Sequence, residues 1–342
     1  MSKRILVAGA GGYIGIGLCQ HLVARGYQVI ALDRFFFGRH QCNFETLPAT
    51  LVIRGDIREI DVSLLEHIDA VVDLAGLSND PAALISRHAT YSINYEGALH
   101  LAQSAKKAGV KRYVYMSSAS VYGRSGNDAL TEEAACSPQS LYAELKLKVE
   151  DRLHALTDAH FQPVMLRNAT VFGLAPRMRY DLVVNIMTYK AMREGVITLD
   201  GDGQQQRPFI HVRDVAEVIL RALELDLDSV PERVFNTGGD GLNFSIRQIA
   251  ECVASQVSAS RIVTVPNNQD NRDYRLNFSR AREQLKFIPA LSIEDGVREI
   301  VADLADKPHV ETDPACFTAS WYKHLLEWEQ RLVGLSLQGR IL

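Results

Sequence analysis

No run in this 342-residue sequence reaches the ~20 consecutive apolar residues that a membrane-spanning helix needs, which argues against an integral membrane protein. Cysteine is scarce. The five are scattered at Cys19, Cys42, Cys136, Cys252 and Cys316, with no Cys-x-x-Cys pair. That argues against a disulfide framework or a zinc site, and no metal is expected. The two signs of charge are near balance, and a formal net charge of −4 gives no reason to expect nucleic acid or a membrane surface as partner. Internal repeats and low-complexity tracts are also missing, and 47% hydrophobic residues exclude a disordered chain. The opening "MSKRILVAGAGGYIGIGL" carries basic residues before an apolar stretch, as a signal peptide would. Its glycines are regularly spaced, however, and His21 and Arg25 follow without a cleavage pattern. A strand entering a Gly-rich turn explains it better, so a cytoplasmic, soluble protein is expected.

What is present is an alternation. "RILVAG", "QVIALD", "LVIRGD", "AVVDLAG", "RYVYMSS" and "PVMLRNA" are short apolar strands, separated by helical segments such as 13–25 and 87–108, the latter closed by Gly109. Near-continuous apolar strands alternating with helices predict an α/β fold with a doubly wound, Rossmann-type parallel sheet. Beyond about residue 170 the pattern turns irregular, with polar loops "LAPRMRYD", "DGDGQQQRP" and "VPNNQDNRDYR". "PFIHVRDVAEVILRALEL" reads as a strand and helix and "RVFNTGG" as a strand, both expected to return to the first sheet. The expected division is 1–170 plus about 209–237 for the sheet domain. A smaller, discontinuous domain takes about 171–208 and 238–310, and 311–342 forms a C-terminal helical tail. In that tail "ASWYKHLLEWEQRLVG" is amphipathic, for packing or oligomer contact.

"VAGAGGYIG" places Gly9, Gly12 and Gly15 between a strand and a helix. Glycines let the backbone approach a pyrophosphate, and the helix N-terminus offers free N–H groups and a positive dipole end. Asp33 ends the next strand, where a carboxylate can accept from both ribose hydroxyls. It would repel a 2′-phosphate and so favours NAD over NADP, although Arg34 works in the opposite direction. Asp56, after the third strand, either meets the adenine or is a solvated strand end. "YAELK" sets Tyr142 and Lys146 on one helical face. A phenol of ordinary pKa, ~10, is a poor base at neutral pH, and a nearby ammonium favours its phenolate. Tyr142 can then exchange a hydroxyl proton while hydride moves to or from a nicotinamide.

With "GAGGYIG", Asp33, "DLAG", Asn94 in "SINYEGA", "SSASVYG", "YAELK" and "RPFIHVRDVA" in this order, residues 3 to 305 resemble the extended short-chain dehydrogenase/reductase family, in its nucleotide-sugar epimerase/dehydratase branch. The resemblance implies Ser118, Tyr142 and Lys146 as the catalytic set, with Ser118 holding the reacting oxygen and Ser117 and Tyr122 structural. The alternative for Ser118 is a strand-end cap. It also implies cofactor contacts from Tyr13, Ile14, Ile57, Leu74, Ala75, Gly76 and Asn94 beside Gly9, Gly12, Gly15, Asp33, Arg34 and Asp56. Family 4,6-dehydratases carry an Asp-Glu pair after the serine, and decarboxylating members usually keep the glutamate; here the positions are Ala119 and Ser120. Both reactions are disfavoured, leaving chemistry that needs only Ser, Tyr, Lys and a nicotinamide.

On the substrate side the resemblance implies diphosphate contacts from Arg207 and from Arg272 or Arg275, where Asn267 and Asn268 replace the usual loop start. Thr170 stands where an asparagine is common, with Asn168 two residues earlier, so UDP, dTDP, GDP and CDP all stay open. Ser78 and Asn79 fall near the expected sugar. The expected activity is an NAD-dependent 4-epimerase acting on a nucleotide-diphosphate sugar. The alternatives are a 4-keto-sugar reductase and a regulatory dinucleotide-binding protein. A homodimer is expected through helices 87–108 and 139–158, where Leu99, Ala102, Leu145 and Val149 either meet a second subunit or face the sheet.

Overall fold

The computed structural model describes residues 2–38, 44–266, 272–306, 312–337 and 340. Cys42, Asn267 and Asn268 lie outside the described residues. The strands are β1 (Arg4–Ala8), β2 (Gln28–Asp33), β3 (Thr50–Arg54), β4 (Ala70–Asp73), β5 (Arg112–Ser118), β6 (Arg124–Leu130), β7 (Gln162–Asn168), β8 (Thr170–Phe172), β9 (Val196–Asp200), β10 (Gln206–His211), β11 (Val234–Thr237), β12 (Asn243–Ser245), β13 (Arg261–Val265) and β14 (Asp273–Leu276). The helices are α1 (Gly15–Ala24), α2 (Asp80–Ile85), α3 (Arg87–Tyr91), α4 (Ala98–Lys107), α5 (Leu141–Leu156), α6 (Val183–Glu194), α7 (Val212–Glu224), α8 (Ile246–Gln256), α9 (Ser279–Gln284), α10 (Ile293–Ala305) and α11 (Thr318–Leu335).

Seven strands form one parallel sheet in the order β11-β7-β5-β4-β1-β2-β3, a Rossmann-like α/β arrangement. Successive side chains of a strand face opposite ways. Ile5 and Val7 therefore pack under α1 and α7, with Leu22 and Ile219, while Leu6 and Ala8 pack under α4 and α5, with Leu101 and Val149. Burial on both faces is why these strands read as unbroken apolar runs.

Of the two later strands expected in this sheet, only β11 joins it, beside β7. β10 instead pairs with β8 and β12 in a separate three-stranded sheet. The reason lies in its position between two cores. Ile210 faces the large sheet's core, whereas Phe209 faces a second core with Phe172, Val184, Ile249 and Val297. A strand between two cores is as apolar as a central parallel strand.

Residues 87–108 are helical but not uniformly so. Between α3 and α4, Ser92–Gly97 widens into a π-helical stretch. Its Asn94 grips the backbone of Leu77 both ways, accepting from the N–H at 2.8 Å and donating to the carbonyl at 2.9 Å. Such widening redirects a side chain that a regular helix would aim elsewhere. Gly109, at φ +82°, closes the segment. Ala102, Leu145 and Val149 are buried inside the single chain, and Leu99 is half-buried. The first three therefore face the protein's own interior and offer no surface to a second subunit.

Candidate functional site

The carboxyl ends of β1, β4, β5 and β7 open into one continuous cleft at the point where the strand order reverses. At its first end the chain leaves β1 through Gly9, with φ +81°. A Cβ on Gly9 would stand 2.8 Å from the Leu74 carbonyl carbon, and one on Gly15 only 2.2 Å from the Gly9 oxygen. Only glycine lets α1 begin against this turn. Among the described residues no side chain caps α1, so its N-terminal dipole and N–H groups face the cleft ready for an anion. Gly12, Tyr13 and Ile14 line the cleft there. The Tyr13 phenol donates to the Gly173 carbonyl at 2.6 Å, and burial raises its pKa well above the ordinary value.

Asp33, at the end of β2, accepts from the N–H of Gly11 (2.9 Å) and of Phe35 (2.6 Å). Burial still raises its pKa. Arg34 turns to Asp56 at 2.8 Å, and Arg58 binds the same carboxylate at 2.7 Å. Burial works to raise the Asp56 pKa, but the bonds from Arg58 and Arg34 outweigh it and hold it at about 2. Asp56 is thus an ion-paired cap of the turn after β3 and also lines the cleft. Ile57, Leu74, Ala75 and Gly76 line it as well. Asn94 does not: it braces Leu77 from behind. A glycine cradle, an uncapped helix start and a carboxylate at the neighbouring strand end suit a dinucleotide, with pyrophosphate at α1 and ribose at Asp33.

At the other end, Ser118 closes β5. Its hydroxyl lies 2.8 Å from that of Ser120, accepts from the Ser120 N–H at 3.2 Å, and is near enough to the Tyr142 phenol to favour its ionised form. Ser118 is therefore a strand-end cap that also faces the cleft beside the phenol. Ser140 caps α5 by accepting from Ala143 N–H, and the helix then carries Tyr142 and Lys146 one turn apart into the cleft. The Lys146 ammonium donates to the Met116 carbonyl at 2.6 Å and lies 5.8 Å from the Tyr142 ring centre. Burial lowers Lys146 to about 8, and the charges of Asp73 and Glu150 limit the fall. Burial and the charge of Asp80 raise Tyr142 to about 12, against the opposing influence of Ser118. Asp73 is fully buried below, held by the Tyr113 hydroxyl (2.9 Å) and the Ala75 N–H (3.0 Å).

Ser117 and Tyr122 serve the framework. Ser117 donates to Glu150, Arg167 pairs with Glu150 at 2.8 Å and donates to the Tyr122 hydroxyl at 2.9 Å, and Tyr122 donates to Asn236. Ala119 is buried against Tyr122 and Tyr274, while Ser120 lines the cleft.

The substrate-side residues divide. Ser78 accepts from Arg179 at 2.9 Å; Asn79 caps α2 and donates to Asp181 at 3.2 Å. Asn168 and Thr170 line the cleft, and Asn168 accepts from Thr237 at 2.8 Å. Arg272 lines it and pairs with Asp80. Arg275 does not: β14 turns Tyr274 inward and Arg275 to solvent. Arg207 is also not in the lining. Buried beside the Tyr274 ring (5.5 Å), it donates to the Arg272 carbonyl and braces that segment from behind.

Sequence reasoning missed Asp80, Ser120, Arg177, Arg179, Asp181 and Tyr274, along with Phe36, Phe37 and Tyr322, all of which line the cleft or pair with residues that do. Two arginines and an aspartate inside "APRMRYD" were a usable signal, since a loop that is merely solvated has no need of closely spaced opposite charges. Tyr322 left no signal, because nothing in the tail's pattern says which side of the molecule it returns to.

A model of the NAD dependent epimerase/dehydratase family matches residues 5–238. UDP-glucuronic acid decarboxylase 1 of Arabidopsis thaliana is 29% identical over 321 residues, which cover 89% of this chain and 70% of the plant protein. UDP-glucose 4-epimerase of Mycolicibacterium smegmatis is 28% identical over 325 residues, 89% of this chain and 99% of the bacterial one. The solved UDP-glucuronic acid 4-epimerase from Bacillus cereus, in complex with UDP-glucuronic acid and NAD, matches with a TM-score of 0.79 at 27% identity, over 89% of this chain and 99% of that one.

Proposed function

The chain belongs to the NAD-dependent epimerase/dehydratase family, and from that premise we propose that it is a nucleotide-sugar 4-epimerase that keeps and reuses its NAD. The observation that carries this reading is a serine, a phenol and an ammonium at the end of β5 and on α5, with Ala119 and Ser120 where dehydration would need a carboxyl pair. NAD supplies a hydride acceptor and donor. Ser118 holds the reacting hydroxyl oxygen of the sugar near Tyr142. Tyr142 takes that proton and later returns it. The Lys146 ammonium, close to the ring, favours the phenolate that burial and Asp80 oppose. Arg272 offers the cation for a substrate diphosphate, and α1 and Asp33 hold the cofactor.

The test is a panel of nucleotide-diphosphate sugars, with and without added NAD(H), run in deuterated water and read by product chromatography and mass. A 4-epimer formed with no net NADH consumed and no deuterium on carbon is expected. One NADH consumed per product would make the protein a 4-keto-sugar reductase. Deuterium at C5 would sink both readings, because it requires a base beyond this set. No turnover with any sugar, together with bound NAD, would favour a dinucleotide-binding regulator.

A further inference from the structure

The C-terminal helix α11 contributes little to the cores: Thr318 is its one fully buried residue. Trp328, Leu332 and Val333 are among its exposed side chains. It packs along α2 and has two further fixed points at the cleft. Trp321 donates its indole N–H to the Phe36 carbonyl at 2.6 Å. Tyr322 lines the cleft and packs on Phe36 and Phe37, with ring centres 6.1 and 5.4 Å away. Phe36 and Phe37 follow Asp33 by only a few residues, so this aromatic group sits at the ribose end. Arg177, 2% exposed, lies 3.4 Å from the Phe37 ring centre and donates to the Ala315 carbonyl and the Thr318 hydroxyl, each at 2.9 Å. Its Nε has no partner among the described residues, and its charge acts on Asp33, Tyr13 and Tyr322. A buried cation that ties the start of α11 to the pocket suits an anionic ligand between them.

We propose that α11 is part of the dinucleotide site: Tyr322, with Phe36, Phe37 and Arg177, walls in the adenosine half and slows its release. This deepens the cofactor part of the reading above and rests on it. An epimerase that returns the hydride it has taken gains from such a wall, because exchange between the two half-reactions would strand a keto sugar.

The chain has two tryptophans, Trp321 and Trp328, and both lie on α11. Energy transfer from tryptophan to bound NADH therefore reports on the distance between this helix and the cofactor, independently of turnover. The full-length protein would be loaded with NADH and chased with excess NAD, and the decay of transfer gives the release rate. Tyr322→Ala is expected to speed release by about tenfold or more, the scale of losing a packed aromatic ring. Tyr322→Phe, which keeps the ring, and Leu332→Ala, on the exposed face, should both stay near the wild-type rate. Unchanged release from Tyr322→Ala, or equal acceleration by Leu332→Ala, would overturn the proposal. Should Tyr322→Ala fail to fold, Trp321→Phe removes the bond to Phe36 while keeping an aromatic ring against Trp328, and must then speed release, with Trp328 as reporter. A wild-type protein that holds NADH without energy transfer would sink this inference alone. One that binds no NADH would sink the cofactor reading, and this proposal with it.

Discussion

The two ends of the cleft are built by different physics. At the end proposed for the adenosine the work falls to the backbone: glycines clear the approach, the start of α1 faces the cleft, and Asp33 is held by two N–H groups. At the end proposed for the reaction it falls to side chains whose acidities burial has moved, Lys146 down and Tyr142 up. A substitution at the first end should therefore change what binds, and one at the second what happens to it.

The hardest test of that separation is Tyr142→Phe. Turnover on the true substrate should fall by at least ~10², the scale of a lost general acid/base. Stabilisation by NAD in a melting experiment should persist, and losing both together would break the distinction. Gly15→Ala is the opposite case. Its Cβ would meet the Gly9 oxygen, so a stability loss of about 1–3 kcal/mol from overpacking is expected, with the NAD-induced rise in melting temperature much reduced. Smaller again is the choice of cofactor. Arg34 is engaged by Asp56, so Asp33 should make NAD bind about tenfold more tightly than NADP. Calorimetry on Asp33→Asn should show that ratio shrinking; a ratio already near one in the wild type would put Arg34 in control.

The smallest expected effect is a shift along the pH axis. The Lys146 ammonium is kept below a pKa of about 8 and lost as pH rises through it, so activity that needs the charge should fall on the alkaline side. Asp73 limits how far burial lowers that pKa. Asp73→Asn should therefore move the alkaline fall of kcat/KM to lower pH, by about one unit. If Asp73 were only a structural brace, the rate would drop at every pH and the limb would stay in place.

How far the sequence could be read depended on how local each feature was. The fifth strand, "RYVYMSS", is β5 residue for residue, and "QVIALD" is β2. Burial on both faces writes such strands as plain apolar runs. β10 misled for the same reason, since its apolar character serves two cores and does not name its sheet. Arg272 and Arg275 could not be separated by composition; strand alternation turns Arg275 to solvent, whereas Arg272, just before β14, lines the cleft. Arg207 and Asn94 lay near the expected place in the chain but act from behind the wall they were expected to form.

By itself the sequence determined the parallel sheet, the glycine turn, Asp33 at a strand end, and Tyr142 with Lys146 on one helical face. Each is specified by residues close in the chain, whose spacing on a strand, turn or helix fixes their relative positions. Only the tertiary structure decided that Arg177, Arg179 and Tyr322 border the cleft, that Arg34 is engaged by Asp56, and that Lys146 lies above a buried Asp73. Those outcomes rest on burial and on contacts between segments far apart in the chain, and no local pattern of residues encodes either.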